Sequence, residues 1–150
     1  MAYEFGCDVA RFELKKLDPE EGEEDQYELD ALAGDLTAHI ATNEAGLREL
    51  LRAIEDASAA PEARQGGPWE PQLPVMKGFF FHPRIFLDYI EVNPPMVTVE
   101  EEDGEKVYVE TDYWELIFDD EDGSRLMLRA SERAVRNLQH DLVMLFYGES

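Results

Sequence analysis

One cysteine in 150 residues, Cys7, rules out an intrachain disulfide and any thiolate metal cluster. Histidine is nearly as scarce: His39, His82 and His140 stand far apart, and no two share the i, i+4 spacing of a zinc-binding helix. Basic residues are few, with 13 Lys and Arg against 35 Asp and Glu, which sets a formal net charge of -22 and a pI near 4.2. A field of that sign repels nucleic acid and anionic membranes and attracts basic surfaces. No apolar run approaches the roughly 18 residues of a membrane-spanning helix. The stretch Met1–Phe5 has neither the basic nor the apolar region of a signal peptide, so a soluble, cytosolic chain is expected. No G-x-S-x-G elbow, phosphate-cradling loop or G-x-G-x-x-G turn occurs. No cofactor, metal or catalytic residue is therefore assigned. Paired carboxylates could do acid–base work, but nothing in the sequence selects a pair from 35 candidates.

What is present is a chain with enough apolar residues, 44%, to bury one core, and a single domain over 1–150 is expected. Period-2 alternation marks strands. Tyr3, Phe5, Cys7 and Val9 alternate with polar neighbours, and the parity then changes to Phe12 and Leu14, which predicts a bulge near Ala10-Arg11. Cys7 falls on the apolar side of this strand and reads as a small buried hydrophobe. Residues 17–25 form an acidic loop. Tyr27–Ala41 reads either as two strands turning at Gly34-Asp35 or as a helix through Leu29, Leu32, Leu36 and Ile40; Gly34 and Thr37 favour the strands. Asn43 or Thr42 caps a helix over 43–57, with Leu47, Leu50, Leu51 and Ile54 as its apolar stripe.

A Pro/Gly-rich connection follows at about 59–78, carrying Trp69, for which two readings stand: folded back on the core, or an exposed anchor for a partner. Phe79–Phe81 and Ile85–Val92 read as a central strand region interrupted at Pro83, with His82 at a strand end. The rest reads as a meander. Residues 96–100 and 107–111 pair around Asp103-Gly104, the second strand running on toward Phe118, and 119–124 turns into 125–129. Ser131 caps a helix over 131–147 whose apolar face is Val135, Leu138, Leu142 and Leu145, with Gly148 as C-cap and His140 on the solvated side. The expected fold is α+β: an antiparallel sheet of six or seven strands with both helices on one face, in the order β-β-β-α-β-β-β-β-α.

Function is sought in the acidic turns. Glu100, Glu101, Glu102 and Asp103 form one cluster, and Asp119, Asp120, Glu121 and Asp122 the other. Neither is a calcium loop, because EF-hand spacing from Gly123 puts Phe118 where the first Asp belongs. These eight residues and Trp69 are the candidate partner-binding set. The function expected is a non-enzymatic acidic protein-binding module, of bacterial or phage inhibitor or immunity type, whose partner is a basic protein such as a toxin, nuclease or defence enzyme. The alternatives are an acidic surface that only reflects a salt-rich cytoplasm, a protein that imitates DNA, and a small enzyme for a cationic substrate.

Overall fold

The computed structural model describes residues 4–17, 26–33, 36–61, 63, 69–71 and 84–148; for strand residues 26, 97–100 and 107–110 the description covers the backbone alone. The strands are β1 (Glu4–Val9), β2 (Arg11–Leu17), β3 (Gln26–Ala33), β4 (Leu36–Thr42), β5 (Arg84–Asn93), β6 (Val97–Glu102), β7 (Glu105–Glu110), β8 (Trp114–Asp120) and β9 (Arg125–Ala130). The helices are α1 (Glu44–Ala59) and α2 (Glu132–Tyr147). The architecture is α+β, with a seven-stranded sheet in the order β1-β9-β8-β5-β4-β3-β2 and a separate two-stranded sheet, β6-β7. The sheet is mixed, because β1 runs parallel to β9 and β4 parallel to β5.

The parity change at Ala10 explains how the sheet closes. β1 and β2 are separated by Ala10 alone yet stand at opposite ends of the strand order. One extended stretch bends there, its first half paired with β9 and its second half with β3. The Ala10 N–H donates to the Leu32 carbonyl at 2.7 Å, so the bend leaves no donor stranded. Phe5, Cys7 and Val9 before the bend and Phe12 after it all enter the core.

β5 repeats this device. Residues 84–86 pair parallel with β4, the register shifts between Leu87 and Tyr89, and the remainder pairs antiparallel with β8. The chain is thus two copies of one plan: a long bent strand, an antiparallel hairpin and a capped helix, with each bent strand lending its first half to the other copy. Ala41 beside Phe86 corresponds to Arg129 beside Asp8. Leu47, Leu50 and Ile54 of α1 correspond to Val135, Leu138 and Leu142 of α2. The ion pairs Glu44–Arg48 and Glu132–Arg136 correspond as well.

Each helix starts on a side-chain cap. Asn43 accepts from the Gly46 N–H at 2.9 Å and Ser131 from the Ala134 N–H at 3.1 Å, and Glu44 and Glu132 sit in the first turns. Pro61 follows the end of α1. Gly148 ends α2 with φ -68, so it is not in the left-handed conformation usual for a glycine cap; its N–H reaches the Met144 carbonyl, and a Cβ would run into that oxygen. The helices touch through equivalent contacts: Arg48 lies over the Phe146 ring at 4.2 Å, and Arg136 donates to Ser58 Oγ at 3.0 Å. Their buried stripes join the inward faces of the strands in one core, around Trp114, Phe118, Leu116, Leu126 and Leu128.

Several expectations need correction. Leu145 is 42% exposed, so it is off the apolar face of α2, whose last fully buried residue is Leu142 and which continues through half-buried Val143 and Phe146. Residues 96–130 are not one meander: β7 stops at Glu110, and Trp114 starts a strand of the other sheet, because Thr111 turns back to hydrogen-bond Met96. Two expectations hold: the stretch 27–41 is two strands, and the apolar run at 85–92 lies in the middle strand of the seven. The observed order is β-β-β-β-α-β-β-β-β-β-α. Most of the connection at 59–78, Phe79–Phe81, His82 and the acidic loop at 18–25 lie outside the described residues.

Candidate functional site

The hairpin β6–β7 is the first acidic element. Asp103 and Gly104 have φ of +50 and +82, the left-handed pair of a two-residue hairpin turn, where glycine adopts the second position without strain. Its base is clamped by Thr111, whose N–H donates to the Met96 carbonyl at 3.0 Å and whose Oγ1 accepts from the Met96 N–H at 3.1 Å. At the tip, Glu101, Glu102, Asp103, Glu105 and Lys106 are all exposed. Glu102 stands opposite Glu105 and Glu101 opposite Lys106. No ion pair or hydrogen bond holds the carboxylates of Glu101, Glu102 or Asp103 among the described residues. Glu100 lies in β6 opposite Val107, and its side chain is outside the described residues.

The second acidic turn is built differently. Arg125 grips Asp119 with two bonds, of 2.8 and 3.2 Å. Asp120 accepts from the Phe86 N–H at 2.9 Å, taking up a donor at the place where β5 leaves register. Asp122 accepts from the Ser124 N–H at 2.8 Å, and that bond, with the Ser124 side chain, lowers its pKa. Three of the four carboxylates therefore hold the turn itself together, and exposed Glu121 has no such bond among the described residues. The two clusters sit on different sheets, and no bond among the described residues links them into one field. Trp69 is half-buried, its ring tilted against Tyr113 at 5.5 Å, and Arg129 lies 5.2 Å from that same Tyr113 ring while bonding Asp8 at 2.6 Å. Trp69 thus rests on another half-buried ring and not in the core, and it is not fully exposed either.

A third cluster was not singled out from the sequence. Arg84, His39, Asp30 and Glu13 occupy one cross-strand row over β5, β4, β3 and β2. Asp30 is 1% exposed and accepts from Lys15 Nζ at 2.9 Å, with His39 Nδ1 at 2.8 Å; Glu28 lies 3.6 Å from both His39 Nδ1 and Arg84. Burial pushes the Asp30 carboxyl upward, but the bonds and charges of Lys15 and His39 outweigh it and hold the pKa below 3.8. The same bond raises Lys15. One ligand atom each from Glu28, Asp30 and His39 lies within 4.8 Å of the others, close enough to hold a cation. Lys15 and Arg84 already supply positive charge there, so a divalent ion would have to displace them. The arrangement is that of a buried carboxylate neutralised by its neighbours.

Cys7 and His140 are not arranged for nucleophilic chemistry. Burial, with the Asp8 charge, pushes the Cys7 thiol up to about 12, and His140 stands on the exposed side of α2. No helix of the described residues is long and apolar enough to cross a membrane. Compared with known proteins, the chain matches no family model, no curated protein and no solved structure.

Proposed function

We propose that this protein is a non-enzymatic binding module of inhibitor or immunity type that docks on a basic protein through the β6–β7 hairpin. The observation that supports this most is the contrast between the two acidic turns. In the β8–β9 turn three of the carboxylates are engaged by Arg125 and by backbone donors, whereas Glu101, Glu102 and Asp103 are exposed on a separate two-stranded arm with no partner among the described residues. Like charges set side by side on an arm cost stability, so their gain lies in the field they present. Set on a chain of net charge -22, such an arm raises the association rate with a basic surface by steering.

The test is association kinetics by stopped flow at several ionic strengths, with a basic partner recovered by affinity capture. The variant Glu101→Gln/Glu102→Gln/Asp103→Asn is expected to slow association more than it speeds dissociation, with a loss that shrinks as salt rises. The variant Glu121→Gln serves as the control and is expected to change little. Equal, salt-independent rates for wild type and the hairpin variant would leave the arm as no more than a solvated turn.

A further inference from the structure

A cavity of about 440 Å³ opens at the corner where β4 passes into α1, lined by Ala41, Asn43, Ala45, Glu49, Phe86 and Asp88 among others. It lies within the size range of small-ligand sites. The internal repeat says what belongs there. At the matching corner before α2, the outward side chain of β9 is Arg129, and it pairs with Asp8 on the parallel neighbour strand. At the α1 corner the same two positions are Ala41 and Phe86. The guanidinium that one half of the molecule sets beside its bent strand has no counterpart in the other half, where Ala41 is itself 2% exposed and the room lies against Phe86 and the start of α1.

We propose that this corner receives an arginine or lysine side chain from the protein's partner. The charge fits, because the carboxylates of Glu49 and Asp88 line the cavity, and the Asn43 side chain has already capped the Gly46 N–H at the helix start. The apolar part of such a side chain fits too: Phe86 is 62% exposed, and Leu87 and Ala45 extend the apolar lining. The ring of Phe86 tolerates a cation nearby, as Arg84 stands 5.9 Å from its centroid. This inference rests on the proposed docking to a basic partner and names a second contact for it, distinct from the hairpin.

The experiment uses small probes, so that it does not depend on the hairpin. The ¹⁵N-labelled full chain is titrated with Nα-acetyl-arginine N-methylamide and, in parallel, with the neutral citrulline analogue of the same shape. Saturable amide shifts are expected at residues 43–46 and 86–88, at least about fivefold weaker with citrulline, since loss of a charge-assisted contact costs about that much or more. The variant Ala41→Arg, which supplies the missing guanidinium from the chain itself, is expected to abolish them. Glu49→Gln/Asp88→Asn, both at exposed positions, is expected to weaken them should Ala41→Arg not fold. The hairpin triple variant is expected to leave them unchanged, so a failed hairpin would not count against the corner. Absence of saturable shifts at these amides, equal binding of citrulline, or loss of the shifts in the hairpin variant would each overturn the proposal.

Discussion

Leu138→Ala tests both the docking of α2 and the internal repeat. Leu138 is 1% exposed and sits on the buried stripe of α2, and its counterpart Leu50 is equally buried on α1. The substitution removes about three buried carbon groups worth roughly 0.8 kcal/mol each, a transfer loss of about 2.5 kcal/mol. The cavity left behind adds to this, because strands and helices around the site are tied by long-range pairing and cannot all collapse into it, so about 3–4 kcal/mol is expected within the usual range of about 2–5. Leu50→Ala is expected to cost the same within about 1 kcal/mol. Leu145→Ala is the contrast: the sequence pattern places it on the same stripe, but at 42% exposed it is expected to cost no more than about 1 kcal/mol. Urea unfolding at fixed ionic strength, followed by tryptophan fluorescence of the buried Trp114, yields the midpoints and slopes. For a chain of this length each kcal/mol corresponds to roughly 2–4 °C in Tm, which gives an independent thermal check. The reasoning fails if Leu145→Ala costs as much as Leu138→Ala, or if Leu138→Ala costs under about 0.5 kcal/mol.

Two further outcomes follow from the titrating groups. Because the folded pKa of Asp30 is depressed, its contribution is fully present above the unfolded value near 3.8 and is lost as pH falls through the lower folded value. The stability gap between wild type and Asp30→Asn, measured by denaturant midpoints from pH 7 to pH 3, is therefore expected to narrow below about pH 5; a constant gap would mean that Lys15 and His39 do not hold the charged form. Cys7, with its thiol pushed up to about 12 and its side chain buried, is expected to react with a thiol reagent at pH 8 at least roughly 10³-fold more slowly in the folded chain than in denaturant. Comparable rates in the two states would place it outside the core.

The elements of this protein were legible because their signals are local. Alternation marked β1 and its parity change, Asp103-Gly104 marked the hairpin turn, and Asn43 and Ser131 marked helix starts within one residue of those observed. The buried faces of both helices were legible from 3.6-residue periodicity up to Leu142; beyond it the contact passes to half-buried Val143 and Phe146, and Leu145 faces out. The candidate carboxylates were legible only as a composition. That three of them in the β8–β9 turn are engaged, while Glu101, Glu102 and Asp103 have no partner among the described residues, depends on Arg125 and on the Phe86 N–H, and Phe86 reaches the turn only across strands. Asp30 and His39, register partners on β3 and β4, could have been found by drawing the 27–41 hairpin explicitly, since pairing Ala33 with Leu36 puts them opposite each other.

By itself, then, the sequence determined where both helices and most strands lie, most of the side chains they bury, and how acidic the chain is. Those properties depend on propensity, period and charge, which act over a few residues. The tertiary structure alone decided that β1 and β2 part to opposite ends of the sheet, that β1 and β5 each cross into the other half to form a parallel pair, and that β6–β7 leaves the sheet as an arm. It also decided that Ala41 stands where the other half has Arg129. The physical reason is that strand pairing is settled by hydrogen bonds and burial between segments far apart in the chain. A local pattern names the face of a strand but not the neighbour that will cover it.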